Sequence, residues 1–109
     1  MDTRQQRVAK NEALFRQVNE RIEDVNEALG ADEPVDFLCE CGDENCTSPV
    51  SLTLAKYEQV RSNPTHFVIA PGHDGVDVER VIEQTDDFAV VEKFSGEAGR
   101  IAVETDPRS

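Results

Sequence analysis

The segment Phe37-Leu38-Cys39-Glu40-Cys41-Gly42-Asp43-Glu44-Asn45-Cys46 gathers all three cysteines of the chain in a C-x-C-x4-C spacing. Residues two apart on a strand share a face, so Cys39 and Cys41 can turn towards one ion. Gly42 lets the backbone curl, and Cys46 returns four residues later with a third sulfur. A disulfide between Cys39 and Cys41 is disfavoured, because their extended Cα atoms lie near the limit of about 7 Å for bridging. A Cys41–Cys46 bridge leaves an odd thiol. Metal binding uses all three sulfurs and needs a fourth donor. His73, after the Pro71-Gly72 pair in APGHDG, is the better candidate of the two histidines. His66 opens the apolar run HFVIA and reads as a packing or capping residue. A closed zinc site of Cys39, Cys41, Cys46 and His73 is the first reading. An iron–sulfur cluster, transient disulfide chemistry and three merely buried thiols are the alternatives.

Around this knuckle the sequence predicts an α+β domain. The seam Val8, Asn11, Phe15, Val18, Ile22, Val25, Leu29 follows a 3-4-3-4 spacing, which predicts an amphipathic helix over residues 1–30 that Gly30 ends. Asn11 is the one polar seam position, a device that can fix register in coiled coils. The helix charges oppose its dipole, with basic residues first and Glu20, Glu23, Asp24 and Glu27 later, so the helix needs a partner surface. The seam is expected to pack within the domain, or to pair through residues 8–29 with a second copy or another protein.

Residues 35–94 form the expected body, a small, mainly antiparallel sheet with one short helix. Val35–Cys41 reads as a strand entering the knuckle, and the alternating Val50, Leu52 and Leu54 as a second. Thr53 is placed to cap a helix over 54–62, with Leu54, Tyr57 and Val60 buried. HFVIA is a third strand. Residues 78–84 and 88–94 read as a hairpin, with Phe88, Val90 and Phe94 on one face. Residues 95–109 read as a flexible polar tail with at most a brief helix near Ile101. A body of roughly 60 residues buries a marginal core, so a structural metal is the expected staple.

The formal net charge is -12. Residues 1–16 carry +2 and the remainder carries -14. Such a surface repels phosphates and anionic lipids, so neither nucleic acid nor membrane is an expected partner. No apolar run reaches the length of a membrane span, and the N-terminus has no apolar signal region, which predicts a cytoplasmic protein with reduced thiols. No Ser-His-Asp order, P-loop or dinucleotide fingerprint is present. Four protein ligands would leave a zinc ion no open position, so catalysis is not expected. The reading is a zinc-stabilised interaction or regulatory module. A thiol-based redox sensor that releases zinc on oxidation is the alternative, as is a Cys3His iron–sulfur protein. Glu40, Asp43 and Glu44 flank the sulfurs and are expected to raise thiolate basicity.

Over residues 11–94 the chain resembles a group of small proteins from high-GC bacteria that share a helix of the type NEALFRxVNERIE and the pattern FxCECGxxxC…LTxxEYxxVR…PGH. The matching residues here are FLCECGDENCTSPVSLTLAKYEQVRSNPTHFVIAPGH. The resemblance implies His73 as the histidine of PGH and brings no activity with it. Lys56 stands where the pattern usually has Glu. The C-x-C-x4-C spacing is also similar to the zinc knuckle that follows SET methyltransferase domains, where a distant segment supplies the fourth ligand. Iron–sulfur proteins of the CDGSH type share the ligand count, but their Cys-Asp-Gly-x-His segment is absent.

Overall fold

The structure is a computed structural model describing residues 4–43, 45–46, 48–74, 79–93 and 96–108. Its elements are α1 (Arg4–Ala28), β1 (Val35–Leu38), β2 (Pro49–Leu52), α2 (Leu54–Arg61), β3 (His66–Ile69), β4 (Glu79–Gln84), β5 (Ala89–Lys93) and α3 (Gly96–Glu104). The α+β architecture read from the sequence is the one observed: a long N-terminal helix, small antiparallel sheets and a short internal helix. No helix among the described residues is long and apolar enough to cross a membrane.

The strands form two sheets. β1 and β2 pair antiparallel, Val35 opposite Leu52 and Leu38 opposite Pro49. β5 is the middle strand of a second antiparallel sheet, flanked by β3 and β4. The knuckle joins the two sheets. Cys39 donates its backbone N–H to Ser48, continuing the β1–β2 pairing, and Glu40 donates to Val68 of β3 at 2.8 Å. Val68 therefore serves as the edge on which the cysteine segment is laid.

Thr53 caps α2 as the sequence predicts, its hydroxyl accepting from the Lys56 amide. Tyr57 and Val60 are buried, and Tyr57 stacks on Phe37 with ring centroids 4.4 Å apart. Leu54 is half-buried against the same core. Phe37, Val50, Leu52, Phe67, Val68, Ile69 and Phe88 to Val91 complete that core. Phe88, Ala89, Val90 and Val91 are all buried, because a middle strand covered on both faces has no solvent side. Val78 and Phe94, the ends of the expected hairpin strands, lie outside the described residues.

One expectation is corrected, and it concerns which face α1 buries. Its fully buried residues are not the apolar seam but Glu12, Arg16, Asn19 and Glu23, a second line at i, i+4, i+7, i+11 lying about 100° around the helix. Val25 and Leu29 are instead 58% and 77% exposed. The helix covers the junction of the two sheets, where backbone groups need partners that apolar side chains cannot give. Asn19 accepts from the Leu38 amide and donates to the Leu38 carbonyl, acting as a neighbouring strand would. The Arg16 guanidinium lies 4.0 Å from the Phe67 ring centroid and donates to the carbonyls of Pro64, His66 and Ala102. Glu12 pairs with Lys93 at 2.6 Å, and Lys93 also pairs with Glu79. Asn11 donates to the Gly42 carbonyl, so this seam residue is used inside the domain rather than for coiled-coil register.

The C-terminal segment carries the brief helix expected near Ile101. Residues 96–108 carry α3, with Ala102 buried, and end in an ion-pair cluster. Asp106 pairs with Arg61, while Arg108 bridges Glu20, Glu23 and Glu58. Buried Ala102 and the ion pairs of Asp106 and Arg108 together fasten the segment.

Candidate metal centre

Three pieces of local structure bring the predicted ligands together. The chain leaving β1 delivers Cys39 and then Cys41; further along the same connection to β2 comes Cys46, whose amide donates back to the Asp43 carbonyl. β3 ends at Ile69, and the Ala70–His73 turn, closed by the His73 amide on the Ala70 carbonyl, delivers the imidazole. One ligand atom from each of Cys39, Cys41, Cys46 and His73 lies within 4.8 Å of all the others. All three cysteines are free thiols.

The spacing fits a single ion. Bonds of about 2.3 Å to sulfur and about 2.05 Å to nitrogen give a tetrahedral S···N edge of about 3.6 Å. His73 Nδ1 lies 3.6 Å from Cys39 Sγ and 3.5 Å from Cys46 Sγ. The four donors are thus close enough to hold one metal ion, and Nδ1 is the nitrogen that faces the sulfurs.

Burial grades across the site. Cys39 is buried, Cys41 and Cys46 are half-buried and His73 is exposed. Burial pushes the Cys39 thiol well above the usual range; the Ala70 amide, donating to its sulfur at 3.1 Å, opposes this, and the neighbouring sulfurs add to it. Burial likewise raises Cys41. Three sulfurs so close resist ionising together, and a cation among them reverses that balance. The Ala70 N–H is an outer-shell donor of the kind that orients a ligating thiolate.

Sequence reasoning placed Glu40 among the sulfurs. The structure turns its side chain the other way, into the core, where it is fully buried. Its carboxylate accepts from Asn19 Nδ2 at 2.8 Å, the Tyr57 hydroxyl at 3.0 Å and the Val68 amide at 3.0 Å. Burial raises its pKa, and the Asn19 donor, Arg16 and the Val68 amide oppose the rise. Glu40 therefore ties α1, α2 and β3 to the one residue between two ligands. Asp43 is exposed, and Glu44 lies outside the described residues. His66 is not near the cluster's donors but pairs with Glu92 at 3.0 Å, in keeping with its expected packing role.

Sequence reasoning also missed how closely α1 approaches the knuckle. Gly42 has φ +82°, and a Cβ there would lie 2.6 Å from Val8 Cγ1 and 2.9 Å from the Val8 carbonyl oxygen. One signal was available: the polar line Glu12, Arg16, Asn19, Glu23 has the helical spacing of a buried face. No protein-family profile, curated protein or solved structure matches the chain, so the site's own geometry carries the functional argument.

Proposed function

We propose that this chain is a non-catalytic interaction or regulatory module of the reducing cytoplasm, its fold held by a structural zinc ion on Cys39, Cys41, Cys46 and His73. The convergence of four donors within 4.8 Å supports this reading above any other observation. Thiolate and imidazole donors suit zinc, and four of them fill a tetrahedral shell without leaving a place for water or substrate. The ion would pin the knuckle to the Ala70–His73 turn and close the segment holding β2, α2 and β3. Metal analysis of freshly purified protein tests the reading. One zinc per chain in a colourless protein is the expected result; metal-free protein that melts cooperatively, or iron with visible absorption, overturns it.

The graded exposure favours a second reading, a redox sensor. Cys41 and Cys46 are half-buried and His73 is exposed, so the rim is open to small oxidants. Peroxide would take two electrons from two thiolates, which join as a disulfide, while its oxygens leave as water and zinc is released. Retention of zinc under mild peroxide supports the structural role; release with a new disulfide supports the sensor.

A further inference from the structure

The three sulfurs of the candidate centre are not equivalent. Cys39 belongs to the core, at 2% exposed, and its backbone is held on both sides. Its own amide donates to the Ser48 carbonyl, and the next amide, that of Glu40, donates to Val68. The Glu40 carboxylate is anchored in turn by Asn19, Tyr57 and the Val68 amide. The Cys39 sulfur accepts from the Ala70 amide at 3.1 Å. That bond draws electron density from the sulfur and makes it the poorer nucleophile. Cys41 and Cys46 are half-buried, so small reagents from solvent reach them. The chain between them folds back on itself: Gly42 has φ +82°, the Cys46 amide donates to the Asp43 carbonyl, and the Asn45 amide donates to the Asp43 carboxylate. Closing Cys41 onto Cys46 breaks no strand pairing. Drawing Cys39 towards either partner would strain the Ser48 and Val68 pairings and give up the Ala70 bond. A Cys39–Cys41 bridge also meets the Cα separation limit of about 7 Å.

We infer that oxidation of the zinc-loaded centre joins Cys41 to Cys46 and leaves Cys39 a thiol. The inference rests on the zinc reading of the four donors, and it names the oxidisable pair whether the centre serves as a sensor or only as a staple. Hydrogen peroxide is the oxidant. The thiolate of Cys41 or Cys46 attacks one peroxide oxygen; the O–O bond breaks, a sulfenic acid forms and hydroxide leaves. The other thiolate attacks the sulfenyl sulfur; the S–O bond breaks, a second hydroxide leaves and the S–S bond forms. Both hydroxides take a proton from solvent and become water. The two sulfurs lose the two electrons that the peroxide gains. Cys39 and His73 then remain as donors. Two ligands do not fill the tetrahedral shell of a structural zinc site, so the ion leaves and Cys39 takes up a proton.

Thiol mapping of the unmutated chain tests the inference, so no variant has to fold. Zinc-loaded protein is treated with increasing hydrogen peroxide, and released zinc is followed with a chromogenic chelator. Each sample is quenched in acid, and its free thiols are alkylated in denaturant with iodoacetamide. Its disulfides are then reduced and alkylated with the isotopically heavy reagent, and mass spectrometry of peptide fragments assigns the label at each cysteine. At partial oxidation Cys41 and Cys46 should each carry at least about fivefold more heavy label than Cys39, with zinc and disulfide appearing in equal amounts. Heavy label on Cys39 equal to that on Cys41 or Cys46, a disulfide between chains, or sulfinic acid without any disulfide would overturn the inference and leave the zinc reading standing. Protein that binds no zinc before peroxide is added would overturn the zinc reading instead.

Discussion

Replacing Gly42 by Ala tests whether α1 closes over the cysteine knuckle. Two costs add at this position. The backbone has φ +82°, where a Cβ costs about 1–2 kcal/mol. The new methyl would also sit 2.6 Å from Val8 Cγ1, 2.9 Å from Glu12 Cγ and 2.9 Å from the Val8 carbonyl oxygen. The side-chain atoms can shift; the carbonyl moves only with the helix, and overpacking of this kind costs about 1–3 kcal/mol. The expected destabilisation is therefore about 3 kcal/mol, a large part of the 5–15 kcal/mol typical of whole domains. Gly30→Ala is the control. Its φ is +72°, yet nothing lies within 4 Å of the added Cβ, so only the backbone cost applies. Any gain from a stiffer unfolded chain is common to both variants and cancels. Urea unfolding of zinc-saturated protein, with zinc content measured in parallel, gives the comparison. Gly42→Ala should unfold at clearly lower urea than Gly30→Ala. Equal midpoints would mean that the first helix does not press on the knuckle, and the account of how the site is positioned would be wrong.

Further outcomes concern the donors and the buried charges. His73→Ala should weaken zinc binding by more than about 100-fold, since even outer-shell partners are worth 10–100-fold, whereas His66→Ala should leave it near wild type in a competitive chelator titration; the reverse order would assign the wrong imidazole. Cys41→Ala removes a donor from the staple and should unfold or aggregate the protein, so an unchanged thermal midpoint would refute a structural metal. Glu40→Gln sets an amide N–H against donors that now meet a carboxylate and should cost about 1–3 kcal/mol in denaturant unfolding, with no loss arguing against a buried three-donor anchor. Burial pushes Glu12 up to about 7, with Lys93 opposing and Glu79 adding. The folded state thus holds this proton more tightly than the unfolded state, so the stabilisation is complete below about pH 4.5 and lost as pH rises through about 7. A displacement of that size corresponds to about 3 kcal/mol. Glu12→Gln should gain on wild type by roughly this amount between those pH values; a pH-independent difference between the two proteins would contradict it.

The polar residues of α1 that meet the sheets set the cysteine segment in place. Asn11 holds the Gly42 carbonyl, Asn19 holds Leu38 and Glu40, and Arg16 holds the end of the α2–β3 turn. The long helix is in this sense the scaffold against which the metal-binding loops are set. Its charged residues are costly to bury alone, but each meets a partner here, and loss of one partner would leave the other stranded.

The local signals were legible without the structure. Cysteine spacing and the Pro-Gly-His turn named four donors that tertiary structure brings within 4.8 Å. Thr53 and Asn63-Pro64 bounded α2, and turn residues marked the second hairpin, because caps and turns are set by neighbours in sequence. What sequence periodicity could not decide was which side of α1 faces inward. A helix carrying two stripes, one apolar and one polar, is ambiguous until the surface beneath it is known. That surface is a junction of strands with unmet carbonyls and amides, and hydrogen-bond demand there outweighs the pull of the apolar seam. The same holds for Glu40 and for the C-terminal segment: their places depend on partners 17 or more residues away in sequence, such as Tyr57 and Val68 for the first and Arg61 for the second. Only the folded chain brings those partners within reach.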